Sequence, residues 1–141
     1  MLPETGGQSS PLLGKAAPDF SLPVLGGGQF SLSAQKGKVT VLDFWATWCG
    51  PCVASLPEQL KAMAGLDPAR VQFIAVNQGE PEPLVAKFLQ ARGWQMTVAL
   101  DAAQDVGRKY GAESIPHCVV VGPDGKVIWV TSGYTPGASQ K

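Results

Sequence analysis

With 141 residues, 45% hydrophobic and 16% charged, the chain is the size of one globular domain and has enough apolar side chains for a single core. Its eleven basic and eleven acidic residues cancel, with no basic run among them, which argues against a nucleic-acid binder or a protein held on an anionic membrane surface. The longest apolar stretches, such as Val39 to Trp48, fall well short of the roughly 20 residues a membrane-spanning helix needs.

Met1 to Ser10 lacks the basic start and apolar middle of a secretory signal, and residues 1–15 read as a flexible tail or linker. Phe20 to Val24 and Gln29 to Leu32 alternate around Gly26-Gly27-Gly28, which predicts a hairpin. Val39 to Trp45 is β-branched and almost continuously apolar, as expected of a central strand covered on both faces, with Asp43 the exception inside it. Beyond Cys49, Val53, Leu56, Leu60, Met63 and Ala64 recur at helical spacing, Pro57 is expected to kink the helix, and Gly65 and Pro68 end it. Val71 to Val76 is a second buried strand. A helix follows over about 83–92, with Leu84, Phe88 and Leu89 on one face and Gly93 as its stop. Met96 to Leu100 is a third strand and Ala103 to Tyr110 a short helix. His117 to Val121 and Lys126 to Thr131 form a last hairpin about Pro123-Asp124-Gly125. Strands alternating with helices, then a hairpin, predict an α/β sandwich on a mixed sheet whose C-terminal edge is antiparallel.

Of three cysteines, Cys49 and Cys52 stand three apart where the long apolar strand gives way to a helix. A helix N-terminus presents unpaired N–H groups and partial positive charge, so it favours a thiolate, most of all at the first cysteine. Cys49 is therefore the predicted nucleophile. Pro51 fits the first helical turn, and Cys52, one turn inside, is the predicted resolving thiol. A zinc site needs three or four protein ligands, and the chain offers beyond this pair only Cys118 and His117 as soft donors.

The run Asp43-Phe44-Trp45-Ala46-Thr47-Trp48-Cys49-Gly50-Pro51-Cys52 resembles the active-site strand and turn of the thioredoxin superfamily. Pro57, and Ile115-Pro116 as the counterpart of that family's cis-proline, extend the resemblance. Ala17-Pro18-Asp19-Phe20-Ser21-Leu22-Pro23, Ala75-Val76-Asn77-Gln78-Gly79-Glu80 and the added helix and strand to Asp101 are similar to the TlpA/ResA-like extracytoplasmic branch. The likeness covers about residues 16–136, leaving 137–141 as a C-terminal tail. It implies a thioredoxin fold: a central mixed sheet flanked by helices, with an N-terminal hairpin and an inserted helix and strand. The family's last helix is expected to be missing, since the chain stops at Gly133 to Lys141 where it would begin. The chain departs from the branch at Asp43, where Asn is common, at Ser55, where Glu is common, and at His117, where Thr or Glu follows the cis-proline.

The resemblance implies a thiol:disulfide oxidoreductase that reduces protein disulfides through a Cys49 mixed disulfide, with no bound cofactor. It sets Asp43 beside the dithiol, where burial would raise its pKa and let it take the proton from Cys52; a purely structural acid is the other reading. A cis Pro116 would present the backbone of Ile115 to an extended client segment, with Trp48, Gly50 and Pro51 around it. Cys118 reads as a buried, inert thiol. The implied partners are a disulfide-containing client and an upstream thiol donor, for a monomer outside the cytoplasm that itself touches neither nucleic acid nor membrane. Two alternatives stay open. One is a copper-binding chaperone with Cys49, Cys52 and His117 as a soft ligand set; the other is a thiol peroxidase, suggested by Ala17-Pro18-Asp19-Phe20, although Ala46 stands where a peroxidatic site has Thr.

Overall fold

The computed structural model describes residues 10–133. The expected C-terminal tail at 137–141 and the expected lack of a last helix fall outside them. The strands are β1 (Ser21–Pro23), β2 (Gln29–Ser31), β3 (Val39–Trp45), β4 (Val71–Gln78), β5 (Thr97–Asp101), β6 (His117–Val121) and β7 (Val127–Ser132). The helices are α1 (Gly50–Ala64), α2 (Glu82–Arg92) and the short α3 (Asp105–Lys109). β1 and β2 pair as an antiparallel hairpin, while the main sheet has the order β5-β4-β3-β6-β7. β3, β4 and β5 run parallel through helical crossovers, and β6 and β7 add antiparallel.

Strand alternation divides the core in two. Leu42 and Phe44 of β3, Ile74 and Val76 of β4, Ala99 of β5 and Val119 of β6 pack with Phe20, Phe30 and Tyr110 on one face. Trp45, Ala75, Val98 and Leu100 pack with Cys49, Cys52 and Leu56 of α1 and Val85 and Leu89 of α2 on the other. β3, with core on both sides, is the strand that reads as continuously apolar. Leu56 is fully buried, a burial worth about 2 kcal/mol.

α1 begins with Cys49 as its N-cap and Pro51 in its first turn, and it ends at Gly65, where Gly65 N donates to Ala62 O and Leu66 N to Met63 O. It continues through Pro57, which withholds the N–H that would otherwise bond the Val53 carbonyl. α2 departs from the expected face at one position. Phe88 and Leu89 pack on the core as expected, but Leu84 is exposed at 45% and Val85 points inward in its place. β4 runs past Val76 through Asn77 and Gln78, both buried polar side chains with partners: Asn77 Nδ2 donates to Glu80 and Gln78 Nε2 to Asp101. Upstream of the hairpin the chain is already bonded to the sheet, as Gly14 N donates to Val127 O and Val127 N to Lys15 O.

Candidate active site

The C-terminal end of β3 delivers Ala46 and Thr47, then the exposed Trp48, then Cys49 at the head of α1. Trp48 is 72% exposed, whereas Cys49 is 3% and Cys52 0% exposed, so the sulfurs sit under a surface rim rather than on it. The two cysteines are joined by a disulfide. Cys49 Sγ accepts from the backbone N–H of Cys52 at 3.2 Å, which is the helix N-terminus acting directly on the sulfur. Gly50 and Pro51 form the exposed first residues of the helix beside it.

Facing the pair is the connection between α3 and β6. Its Ile115–Pro116 bond is cis, and the carbonyl oxygen of Ile115 lies 3.6 Å from Cys49 Sγ. Ile115 is half-buried and touches both core clusters. The Ile115–Pro116 connection thus meets the Trp48–Cys52 segment through the contact of Ile115 O with Cys49 Sγ.

Asp43 stands on β3 opposite Cys118, on the face of the sheet that α1 covers. It is fully buried, and among the described residues neither carboxylate oxygen meets a donor at hydrogen-bonding geometry. Burial pushes its carboxyl up to about 7, with the side chain of Gln59 on α1 pulling weakly the other way. Its cross-strand neighbour on β6 is Cys118, a free cysteine that is half-buried rather than buried as expected, with its thiol pushed well up by burial and, second, by the Asp43 charge.

His117 is elsewhere. Its ring packs on Phe44, with Nε2 3.0 Å from the Tyr110 carbonyl and Nδ1 2.5 Å from Ser132 Oγ. Those neighbours belong to the face opposite α1, so β6 aims the imidazole away from the dithiol and the two do not form the copper set allowed by sequence. Among the described residues no group of three or more His, Cys, Asp or Glu side chains is arranged to hold a metal ion.

One contributor has no distinct sequence signal. Glu80, 9% exposed, accepts from Thr47 N at 2.8 Å, Thr47 Oγ1 at 2.5 Å and Asn77 Nδ2 at 2.8 Å. It ties the turn that carries Trp48 and Cys49 to the end of β4. Its own segment is legible as a family feature, but its partner Thr47 is 33 residues away.

Two sulfurs joined to each other, one at a helix N-terminus just beneath the exposed rim, suit exchange of a disulfide with another pair of sulfurs. The sheet order and the proline-bearing connection are those of the thioredoxin-fold thiol-disulfide oxidoreductases. The comparisons agree. A family model described as Redoxin matches residues 12–140. The thiol-disulfide oxidoreductase ResA of Bacillus subtilis (strain 168) is 34% identical over 127 residues, 90% of this chain and 71% of that protein. Among solved structures, a provisionally assigned thiol:disulfide interchange protein DsbE from Chlorobium tepidum superposes with a TM-score of 0.81 at 33% identity, over 96% of this chain and 90% of that one. The thioredoxin domain of a thiol-disulfide oxidoreductase from Bacteroides vulgatus follows at 0.77 and 26%, over 92% and 93%. The chain belongs to the Redoxin family, in its TlpA/ResA-like branch, and is a thioredoxin-like thiol-disulfide oxidoreductase. Among the described residues no helix is long and apolar enough to cross a membrane.

Proposed function

We propose that the protein works as a reductant of client protein disulfides, with Cys49 as nucleophile, Cys52 as resolving thiol and Asp43 as the base. The observation that carries this reading is the Cys52 N–H aimed at Cys49 Sγ, since a bond that satisfies sulfur there favours the thiolate at Cys49 over the more enclosed Cys52. In the reduced protein, the Cys49 thiolate attacks one sulfur of a client disulfide. A Cys49–client bond forms, the client bond breaks, and the released client thiolate takes a proton from solvent. Asp43 then accepts the Cys52 proton, and the Cys52 thiolate attacks Cys49 Sγ and expels the second client thiolate, which is protonated in turn. Two electrons have passed from the dithiol to the client, and an upstream thiol donor must return them.

The client segment lies along the Ile115 main chain beside the cis Pro116, with Trp48, Gly50 and Pro51 as the remaining contacts. Main-chain pairing of this kind tolerates varied client sequences. The working unit of this reading is the domain over 16–136, a monomer outside the cytoplasm, as the resemblance to the extracytoplasmic branch implies.

The test is the equilibrium of the Cys49–Cys52 pair against glutathione, read by thiol alkylation and mass spectrometry. A potential near about −270 mV supports the reductant, and one near about −120 mV would make the protein an oxidant. Cys52→Ser should trap clients as stable mixed disulfides through Cys49, while Cys49→Ser should trap none.

A further inference from the structure

The imidazole that turns away from the dithiol still bears on it. Tyr110 closes the C-terminus of α3 and His117 opens β6, so these two residues are the ends of the connection 111–116. At its α3 side this connection is held by Gly111 N and Ala112 N, and at its β6 side by Pro116 O, which accepts from Gly133 N. Among the described residues, no main-chain hydrogen bond outside helices and strands holds 113–115, although Ile115 is the residue facing Cys49. His117 spans the gap. Its Nε2 meets the Tyr110 carbonyl and its Nδ1 meets Ser132 Oγ. A carbonyl only accepts, so Nε2 carries the hydrogen, and in the neutral ring Nδ1 accepts from the Ser132 hydroxyl. Burial holds the imidazole below its usual range, against a weaker opposing effect of the Tyr110 carbonyl, which keeps it neutral. His117 is 5% exposed and its ring rests on Phe44, so the core packs against it in this arrangement.

We propose that His117 is a positioning residue for client binding: by clasping Tyr110 and Ser132 it closes the base of the 111–116 connection and keeps the Ile115 main chain opposite Cys49. The proposal rests on the reading that clients pair along Ile115. A small aromatic disulfide that reaches Cys49 without pairing there has little need of the clasp, whereas a polypeptide disulfide depends on it.

The test compares wild type, His117→Leu, which keeps apolar contact with Phe44 but has neither ring nitrogen, and His117→Gln, whose amide N–H can reach the Tyr110 carbonyl. Three readouts are taken: insulin reduction with dithiothreitol as donor, reduction of 5,5′-dithiobis(2-nitrobenzoate) by the prereduced protein, and amide hydrogen exchange over 111–117. In His117→Leu, kcat/KM for insulin is expected to fall about tenfold, chiefly through KM, with the aromatic disulfide much less affected. Exchange over 111–117 quickens, and His117→Gln restores most of both losses. Equal losses on the two disulfides, unchanged exchange in His117→Leu, or no recovery in His117→Gln would each overturn the clasp. Wild type inactive on insulin, with exchange responding as expected, would sink the reductase reading and leave the clasp standing.

Discussion

Asp43 on β3 and Cys118 on β6 face each other across an antiparallel pair, on the side of the sheet that α1 covers. One is a buried acid with no donor at hydrogen-bonding geometry among the described residues, the other a thiol that the same burial and the same acid keep protonated. Cys118 is therefore expected to stay unmodified when the folded, reduced protein is treated with iodoacetamide at pH 8, while Cys49 reacts within minutes. Mass mapping of the alkylated peptides reads this directly. Labelling of Cys118 at the rate of Cys49 would show that the pocket does not suppress its thiolate.

If Asp43 takes the Cys52 proton, its replacement separates the two halves of the reaction. Asp43→Ala should slow resolution of the mixed disulfide on the order of 10²-fold, the usual scale for losing a general base, and leave the first attack by Cys49 nearly intact. In wild type, resolution should accelerate as pH rises through about 7, where the carboxyl ionises, and this inflection should vanish in the variant. Stopped-flow tryptophan fluorescence during reduction follows both steps.

The same carboxyl makes stability depend on pH in a direction opposite to most acids. Its folded pKa of about 7 lies above the unfolded value of 3.8, so the folded protein holds the proton more tightly. Its contribution is complete below about pH 3.8 and is lost as pH rises through about 7. Asp43→Asn should accordingly gain stability over wild type at pH 8, by a few kcal/mol, and the difference should shrink towards pH 4. Urea unfolding at both pH values measures it, and a difference independent of pH would refute the burial argument.

Glu80 gives a graded pair of variants. Glu80→Ala removes the acceptor of Thr47 N, Thr47 Oγ1 and Asn77 Nδ2 together and should cost about 3 kcal/mol. Glu80→Gln keeps one carbonyl oxygen, and the Thr47 hydroxyl can turn to accept from the new amide, so the loss should be under about 1 kcal/mol. Because Thr47 leads into Trp48 and Cys49, insulin reduction should fall with Glu80→Ala and largely recover with Glu80→Gln.

Gly107, inside α3, tests the packing behind the site. A Cβ there would run into Gln78 Oε1, whose side chain also donates from Nε2 to the buried Asp101 at 3.0 Å. Gly107→Ala must push Gln78 aside and break that bond, for about 1–3 kcal/mol, although alanine is the better helix former. A melting temperature at or above wild type would mean that Gln78 has another place to go.

Those parts of the fold and site whose determinants are local can be read from the amino-acid order alone. The continuous apolar run of β3 needs cover on both faces, and the strand-to-helix position of Cys49 sets its electrostatics. Spacing is ambiguous elsewhere. In α2, Leu84 and Val85 both stand at helical spacing from Phe88 and Leu89, and the choice of Val85 over Leu84 comes from a core shared with Val98 and Leu100, which no local pattern contains. The direction of the His117 ring is set by strand pairing with Phe44 and Ser132. Glu80 acts across 33 residues, and a lone acid after a strand reads as surface.

The segment ahead of β3 touches both outer strands of the sheet. Val24 and Leu25 bond to Ala99 and Val98 of β5, while Gly14, Lys15 and Ala16 bond along Lys126 and Val127 at the start of β7. These residues precede β5 and β7 in the chain, so their native contacts with the two strands form only after those strands have been made. Val24 and Leu25 then cover part of the β5 edge and Gly14 to Ala16 part of the β7 edge, which leaves less unpaired backbone on either outer strand for edge-to-edge association.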